Sequence, residues 1–556
     1  MKRLGRLRAL ALSALCVLGG VACGSAAGTL PDSGHLGPGD GPPPDAPPPD
    51  ASPDTFVAAP LPPSQIRDGG PIEFEDVTDA AGLSGAVTLA SQHAGGVVFT
   101  DLDGDGWPDI FLANGKDGLT PAQLPSAMYH NNGDRTFSDV TARAGLALPG
   151  IDTYSAAAGD VDNDGYVDLY VAAVPTNLLL HNNGDGTFRD VTASANAGGP
   201  PFTAQQLDAR FSFASRVVAM GDFDGDGWLD LVSAGSMAVP PYIVLLRNNG
   251  DGTFRDVTTA SRVAIPTYGN PEVVLWTDYD NDGDIDLFIW DDTGDQILLR
   301  NDGGVFTDVT RASRVRNIAA GNSMGIDVAD IDHDGYLDYF VSQIGNTVLA
   351  HYNGNGTFTD LGAALGLQSE WGWGIGFQDF DADGWVDILE AQIGGLPNLL
   401  YRNRGNRSFQ RFERFPSYGN PSNPDTNVSI AFADYDHDGA VDALFASSAG
   451  THVHLLRNLT DRGSRAWLHV TLEGGWPGAD NTTGVGARVS VKTGNLVQFR
   501  DIEAGCNHLS QSELGVHFGL GDWNGAEEVR VRWPSGRQSL LTNVRGNQFV
   551  RVVEQP

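Results

Sequence analysis

The chain has 556 residues, enough for one large repeat domain and a smaller one, and carries a formal net charge of −36 from 70 acidic and 34 basic residues. That balance argues against nucleic acid as a partner, because a phosphate backbone needs a positive face. A hydrophobic content of 41% with 71 glycines fits many short strands and tight turns.

Residues 1–22 read as an export signal of the lipoprotein type. Lys2, Arg3, Arg6 and Arg8 form a basic start, an apolar run over residues 9–21 is too short to span a bilayer, and Cys23 follows as the expected lipidation site. The alternative is simple cleavage after a nearby alanine. Membrane contact is expected only through this anchor, which places the protein in a bacterial cell envelope, on the surface or secreted. Residues 23–70 form a Pro-rich linker, typified by Gly41-Pro42-Pro43-Pro44-Asp45, which cannot bury a core and should be extended. The chain has three cysteines. Cys16 leaves with the signal and Cys23 carries the anchor, so Cys506 has no intrachain partner. Cys506 is read as a small buried apolar residue rather than a nucleophile paired with His508.

Residues 71–459 repeat. Seven copies of Asp-x-Asp-x-Asp-Gly-x-x-Asp begin at Asp101, Asp160, Asp222, Asp278, Asp330, Asp379 and Asp434, each 49 to 62 residues after the last. Around each lie four short strand patterns. In the second copy these are a small-residue run before Asp160, residues 167–173, residues 178–180, and the alternating Phe188-Arg189-Asp190-Val191-Thr192 after the turn Asn182-Asn183-Gly184-Asp185-Gly186-Thr187. Four strands per repeat are the composition of a propeller blade. A stacked solenoid is the rival, although its repeats are usually shorter. The first Phe-x-Asp-Val-Thr, at Phe74, precedes every loop, and none follows Leu455-Leu456-Arg457-Asn458. A strand over residues 72–78 should therefore complete the last blade and close a seven-bladed ring without exposed edges.

In each loop, position one is an Asp named above. Position three is Asp103, Asp162, Asp224, Asp280, Asp332, Asp381 or Asp436, and position five is Asp105, Asp164, Asp226, Asp282, Asp334, Asp383 or Asp438. Position six is always glycine, as a sharp turn requires. Position seven varies (Trp107, Tyr166, Trp228, Asp284, Tyr336, Trp385, Ala440), so it would serve through its carbonyl, and position nine is Asp109, Asp168, Asp230, Asp286, Asp338, Asp387 or Asp442. Hard oxygen donors in a flexible loop suit Ca²⁺ over Zn²⁺ or Mg²⁺, and about seven structural sites are expected. The alternative is an Asp-rich turn without metal. Two carboxylates ~5 Å apart repel by roughly 3 kcal/mol at an effective dielectric of about 20, which favours a bound cation. Without a closing Glu or flanking helices the loop is not an EF-hand.

Residues 460–556 carry candidate strands at 467–472, 487–492, 497–502, 516–520, 529–533 and 548–553, which read as a small β-sandwich-like domain.

The loops and their Asn-Asn-Gly-Asp-Gly-Thr-Phe turns resemble the FG-GAP/VCBS repeats of integrin α-subunit propellers and bacterial surface proteins. The C-terminal segment resembles the ASPIC/UnbV domain, through Gly484-Val485-Gly486-Ala487-Arg488-Val489, Ser510-Gln511-Ser512, Val516-His517-Phe518-Gly519-Leu520-Gly521 and Val531-Arg532-Trp533-Pro534-Ser535-Gly536. Together they resemble the arrangement of the cartilage acidic protein family. The resemblance implies an extracellular calcium-binding propeller for interaction or adhesion, with no catalytic residues.

The expected function is a surface-anchored, monomeric module binding a protein or glycan on the face opposite the acidic loops. Candidate segments there are residues 199–216, 362–374 and 416–427, with Trp371 and Trp373 as an aromatic pair whose alternative role is packing. A polysaccharide lyase or hydrolase would need convergent groups outside the loops, for which Glu272, Glu370 and Glu390 are the available carboxylates. A periplasmic scaffold or assembly factor is the third reading.

Overall fold

The computed structural model describes residues 70–86, 95–114, 124–199, 216–235, 242–264, 271–292, 296–318, 323–345, 347–393, 396–405, 407–412, 427–447, 453–474, 480–505 and 507–555. The signal, Cys23, most of the linker, Cys506 and nearly all of the candidate segments 199–216 and 416–427 lie outside the described residues.

Apolar residues at alternate positions and glycine-rich turns organise the repeats into seven four-stranded antiparallel sheets. The first sheet consists of Val97–Thr100, Asp109–Leu112, Ala127–Asn131 and Phe137–Asp139. The innermost strands of the seven blades are Val97–Thr100, Asp152–Gly159, Arg216–Gly221, Pro271–Thr277, Ser323–Ala329, Gly372–Gln378 and Asn427–Ala433. Each lies against the next and the seventh lies against the first, so the sheets form a closed propeller. Packing between blades is dry and apolar. Val97, Phe99 and Leu112 of the first sheet meet Ala431, Ala433 and Leu444 of the seventh.

The seventh sheet is completed from the N-terminal side. Strand Phe74–Asp76 pairs antiparallel with His454–Asn458, in the register Phe74 opposite Asn458 and Asp76 opposite Leu456. Phe74 packs edge-on against Phe380 with ring centroids 5.3 Å apart. The Thr78 hydroxyl accepts the Leu455 N–H at 2.9 Å. The outer Phe-x-Asp-Val-Thr strands are shorter than their pattern suggests. Phe188–Asp190 is extended, but Thr192–Ala195 is a helical turn, because Asp190 Oδ1 takes the Thr192 N–H at 2.9 Å and bends the chain.

The C-terminal residues form two sheets around a shared core of Leu468, Val470, Val489, Val491, Val529 and Val531. One sheet pairs Ala466–Glu473 antiparallel with Gly515–Gly521 and parallel with Gln548–Val553. The other has the order Leu496–Asp501, Arg488–Thr493, Gly525–Arg532, Gln538–Arg545. The last strand has no counterpart in the sequence reading. It is an edge strand, mostly exposed on both faces, so its residues show no apolar alternation.

This unit does not stand apart from the ring. Residues 504–505 and 507–514 lie at the centre of the propeller and bond to several of its inner strands. Gln511 N–H donates to the Val97 carbonyl at 2.9 Å, and the Gln511 carbonyl accepts from Phe99 N–H at 3.0 Å. Its side-chain amide accepts from Ala158 N–H at 2.8 Å and donates to the Ala158 carbonyl at 3.1 Å. Met220 N–H donates to the Ala504 carbonyl at 3.0 Å, and the Ser510 hydroxyl donates to the Ile430 carbonyl at 2.6 Å. Leu509 inserts among Val217, Val274 and Ile289. Gly96 lets this segment approach, since a Cβ there would overlap the Leu509 carbonyl.

Because one short N-terminal strand closes the ring, Phe74→Ala should destabilise the protein by about 2 kcal/mol, less than for a fully buried phenylalanine. Chemical denaturation reads this, and a cost near zero would show that the ring holds without that strand.

Candidate metal centres

Every Asp-rich loop joins an innermost strand to the second strand of its blade, so all seven gather on one face of the ring. The loops fold alike because their own carboxylates organise them. At position one, Asp101, Asp160, Asp222, Asp330, Asp379 and Asp434 accept the N–H of the position-six glycine at 2.7–3.0 Å. At position five, Oδ1 takes the position-seven N–H, as from Asp105 to Trp107 at 2.9 Å and from Asp438 to Ala440 at 3.0 Å.

Position nine is buried in all seven copies and brackets the blade. Asp168 is representative. Its Oδ2 accepts from Val161 N–H at 3.1 Å, and its Oδ1 accepts from Asn182 N–H on the third strand at 2.7 Å. The asparagine then ties the blade to its neighbour. Asn182 Nδ2 donates to the Leu102 carbonyl in the preceding loop at 2.7 Å, as Asn248 does to Val161 at 2.8 Å and Asn131 does to Tyr435 across the ring closure at 3.0 Å. Tyr352 replaces this asparagine in the fifth blade and packs on Tyr279 instead, 5.7 Å away.

Position three differs from the others. Asp103, Asp162, Asp224, Asp280, Asp332, Asp381 and Asp436 each retain a buried oxygen without any hydrogen-bond partner. Such an oxygen costs desolvation energy, which arginines beside Asp224, Asp332, Asp381 and Asp436 offset only in part. A cation beside it would return that energy. In three copies, Asp103, Asp162 and Asp332 group with neighbouring loop carboxylates and a histidine closely enough to share one ion. The donor set of clustered carboxylates with a nearby carbonyl is that of a hard divalent cation. The residues therefore fit a metal in each loop.

Sequence reasoning missed the basic residue that precedes the asparagine, which is present in all seven copies as His130, His181, Arg247, Arg300, His351, Arg402 and Arg457. His130 Nδ1 lies 2.9 Å from Asp103, Arg457 Nε lies 2.6 Å from Asp436, and Arg247 and Arg402 pair with Asp224 and Asp381. This residue, where it is Arg247, Arg402 or Arg457, offsets part of the carboxylate charge through its guanidinium. Its signal was a fixed position on the third strand, hidden by alternation between His and Arg.

The C-terminal unit packs on part of this acidic face, against four of the seven loops. Arg532 pairs with Asp278, and the Thr482 hydroxyl donates to Asp160. Arg465 lies 3.0 Å from Asp381, and Arg462 Nη2 donates to the Asp438 carbonyl at 3.0 Å. On the other face, Trp371 is 39% exposed, whereas Trp373 is buried against Met324, Ile393 and Val428, so the two tryptophans do not form one aromatic surface. Glu370 is exposed. Glu272 and Glu390 are fully buried in different blades, with Glu390 accepting from the Ser369 hydroxyl.

Burial, reinforced by the other loop carboxylates, raises Asp109 and Asp168 to about 8 and Asp222 and Asp434 to about 7. The fold then favours their protonated form relative to the unfolded chain, where Asp titrates near ~3.9. Metal-free stability should therefore be greatest near or below pH 4 and fall as pH rises toward about 8, with the opposite slope from an ordinary salt-bridged acid. Thermal melts in chelator from pH 5 to pH 8 should show a falling midpoint, and added divalent cation should flatten it.

With this geometry in view, the comparisons with known proteins are specific. Residues 101–171, 222–289, 278–341 and 337–390 match the FG-GAP-like repeat, and residues 477–556 match ASPIC and UnbV. Cartilage acidic protein 1 of Homo sapiens is 27% identical over 285 residues, covering 46% of this chain and 38% of that protein. The Mus musculus protein is 27% identical over 295 residues, covering 48% and 40%. The match thus spans about two fifths of these relatives. Among solved structures, an Agrocybe aegerita lectin that recognises terminal N-acetylglucosamine aligns with TM-score 0.35 and 22% identity, over 57% of this chain and 79% of the lectin. The exotype rhamnogalacturonan lyase YesX aligns with TM-score 0.38 and 11% identity, over 66% and 72%. The chain carries FG-GAP-like repeats followed by an ASPIC and UnbV domain, and it resembles cartilage acidic protein 1 over that part of its length.

Proposed function

We propose that this protein is a surface-anchored, monomeric binding module with four parts: a signal (1–22), a Pro-rich linker from Cys23 to residue 70, a calcium-fastened propeller (71–459) and a C-terminal cap (460–556). Calcium occupies the seven loops, held by the carboxylates of positions one, three, five and nine and the carbonyl of position seven. The observation that carries this reading is the buried, unpartnered oxygen at position three of every loop. The ions are structural. They offset repulsion within each loop and stiffen the junction between the first two strands of each blade, where the asparagine bracket also acts.

The partner is a protein or glycan that docks on the face away from the loops. Two features support this placement. Part of the acidic face lies under the C-terminal unit, and residues 504–505 and 507–514 bond to inner strands at the centre of the ring. Loops around Trp371 are among those left free. The buried positions of Glu272 and Glu390 weigh against polysaccharide hydrolysis, because neither reaches a substrate. Export, lipidation at Cys23 and display by the linker complete the reading. Among the described residues, no helix is long and apolar enough to cross a membrane.

Asp162→Asn should lower calcium stoichiometry by one and reduce stability by roughly 2–3 kcal/mol at free calcium ~100-fold above Kd, measured by calorimetric titration and denaturation. Unchanged stoichiometry would overturn the assignment of that loop. For the partner, the calcium-loaded full chain can be screened on glycan arrays and against envelope proteins. Binding reduced at least tenfold by Trp371→Ala supports the docking face, and binding insensitive to Trp371 but lost on altering the C-terminal unit would contradict it.

A further inference from the structure

A second kind of metal position lies where the C-terminal unit meets the seventh blade. His469 and His517 stand directly opposite each other on neighbouring antiparallel strands, so their side chains project from the same face. That face packs on the seventh loop, beside Gly439. Both imidazoles are buried, His469 to 2% exposure and His517 to 5%. In each ring, Nδ1 is buried without a hydrogen-bond partner. Glu513, from the segment that enters the ring, places Oε1 3.6 Å from His469 Nδ1.

That distance is long for a hydrogen bond and suits two ligands of one ion. Donors each ~2.1 Å from a tetrahedral centre stand about 3.4 Å apart. His517 is held in the tautomer that ligation requires. Its Nε2 donates to the Gly439 carbonyl at 3.1 Å, which leaves the Nδ1 lone pair free. A backbone carbonyl fixing the distal nitrogen is the usual support for a ligating histidine. Gly515 makes room for the other ring, since a Cβ there would overlap His469 Nε2.

The geometry points to a transition-metal site of zinc type formed by His469, His517 and Glu513, which differs from the acidic loops in bringing two imidazoles to one carboxylate. Two imidazoles and one carboxylate select a borderline divalent ion over calcium. The ion would join both sheet strands of the C-terminal unit to the segment that fills the ring, at the point where that unit meets the Asp434 loop. Glu513 Oε1 already accepts the Asp434 N–H at 3.3 Å, so the two metal chemistries would meet across one residue.

Co²⁺ titration of the calcium-saturated full chain tests this. One equivalent should bind and produce the visible absorption of cobalt in a low-coordinate nitrogen–oxygen site, and Zn²⁺ should displace it. His469→Ala and His517→Gln should abolish the band, Glu513→Gln should weaken binding at least tenfold, and Asp251→Asn, on an exposed turn of the third blade, should leave it unchanged. Absence of retained Co²⁺ or Zn²⁺ in calcium-saturated protein would overturn the site, as would equal retention by folded histidine variants. If the variants do not fold, X-ray absorption of the zinc-loaded native chain decides. Two imidazoles in the shell support the site and an all-oxygen shell overturns it. Failure of this site would leave the calcium reading of the acidic loops intact.

Discussion

The rest of the structure depends on how negative charge is accommodated on one face of the ring. Four carboxylates converge in each of seven loops, and seven position-nine aspartates are buried outright. Within the protein the compensation is partial. Backbone N–H groups take position one in six loops and positions five and nine, and a His or Arg from the third strand pairs with loop carboxylates in six of the seven. What is left over is an unpartnered oxygen at position three, repeated seven times. A repeated deficit of this kind has one economical remedy, a cation in each loop.

The same loops tie the blades together. The position-nine carboxylate fixes the third-strand asparagine, and in six blades that asparagine reaches the carbonyl of the preceding loop. Loop conformation, blade integrity and blade-to-blade contact are thus one coupled system. The C-terminal unit joins it. Arginines and Thr482 approach the carboxylates of four of the loops, and residues 504–505 and 507–514 bond to inner strands at the centre of the ring.

Much of this was legible in the sequence because it rests on local, repeated chemistry. The spacing of the aspartates, the invariant position-six glycine and the Asn-Gly turns each act within a few residues, and the unpaired Phe74 pattern exposed the closing strand. What stayed hidden depends on distant residues meeting. Gln511 reads as an ordinary polar residue until it is set beside Val97 and Ala158. His469, Glu513 and His517 look scattered until strand pairing brings them together. Trp371 and Trp373 look like one aromatic patch, but Trp371 precedes the inner strand and is exposed, whereas Trp373 lies within it and is buried. The His or Arg of the third strand escaped because two residue types fill one electrostatic role, and strand Gln538–Arg545 escaped because an edge exposed on both faces has no apolar period.

The central claim is that divalent cations in the acidic loops hold the ring together. Equilibrium unfolding of the full chain as a function of free calcium tests it most directly. The account predicts a transition midpoint that climbs steadily with the logarithm of calcium concentration, with a slope requiring several ions released on unfolding. A midpoint independent of calcium, in protein shown to be free of other divalent metal, would contradict it.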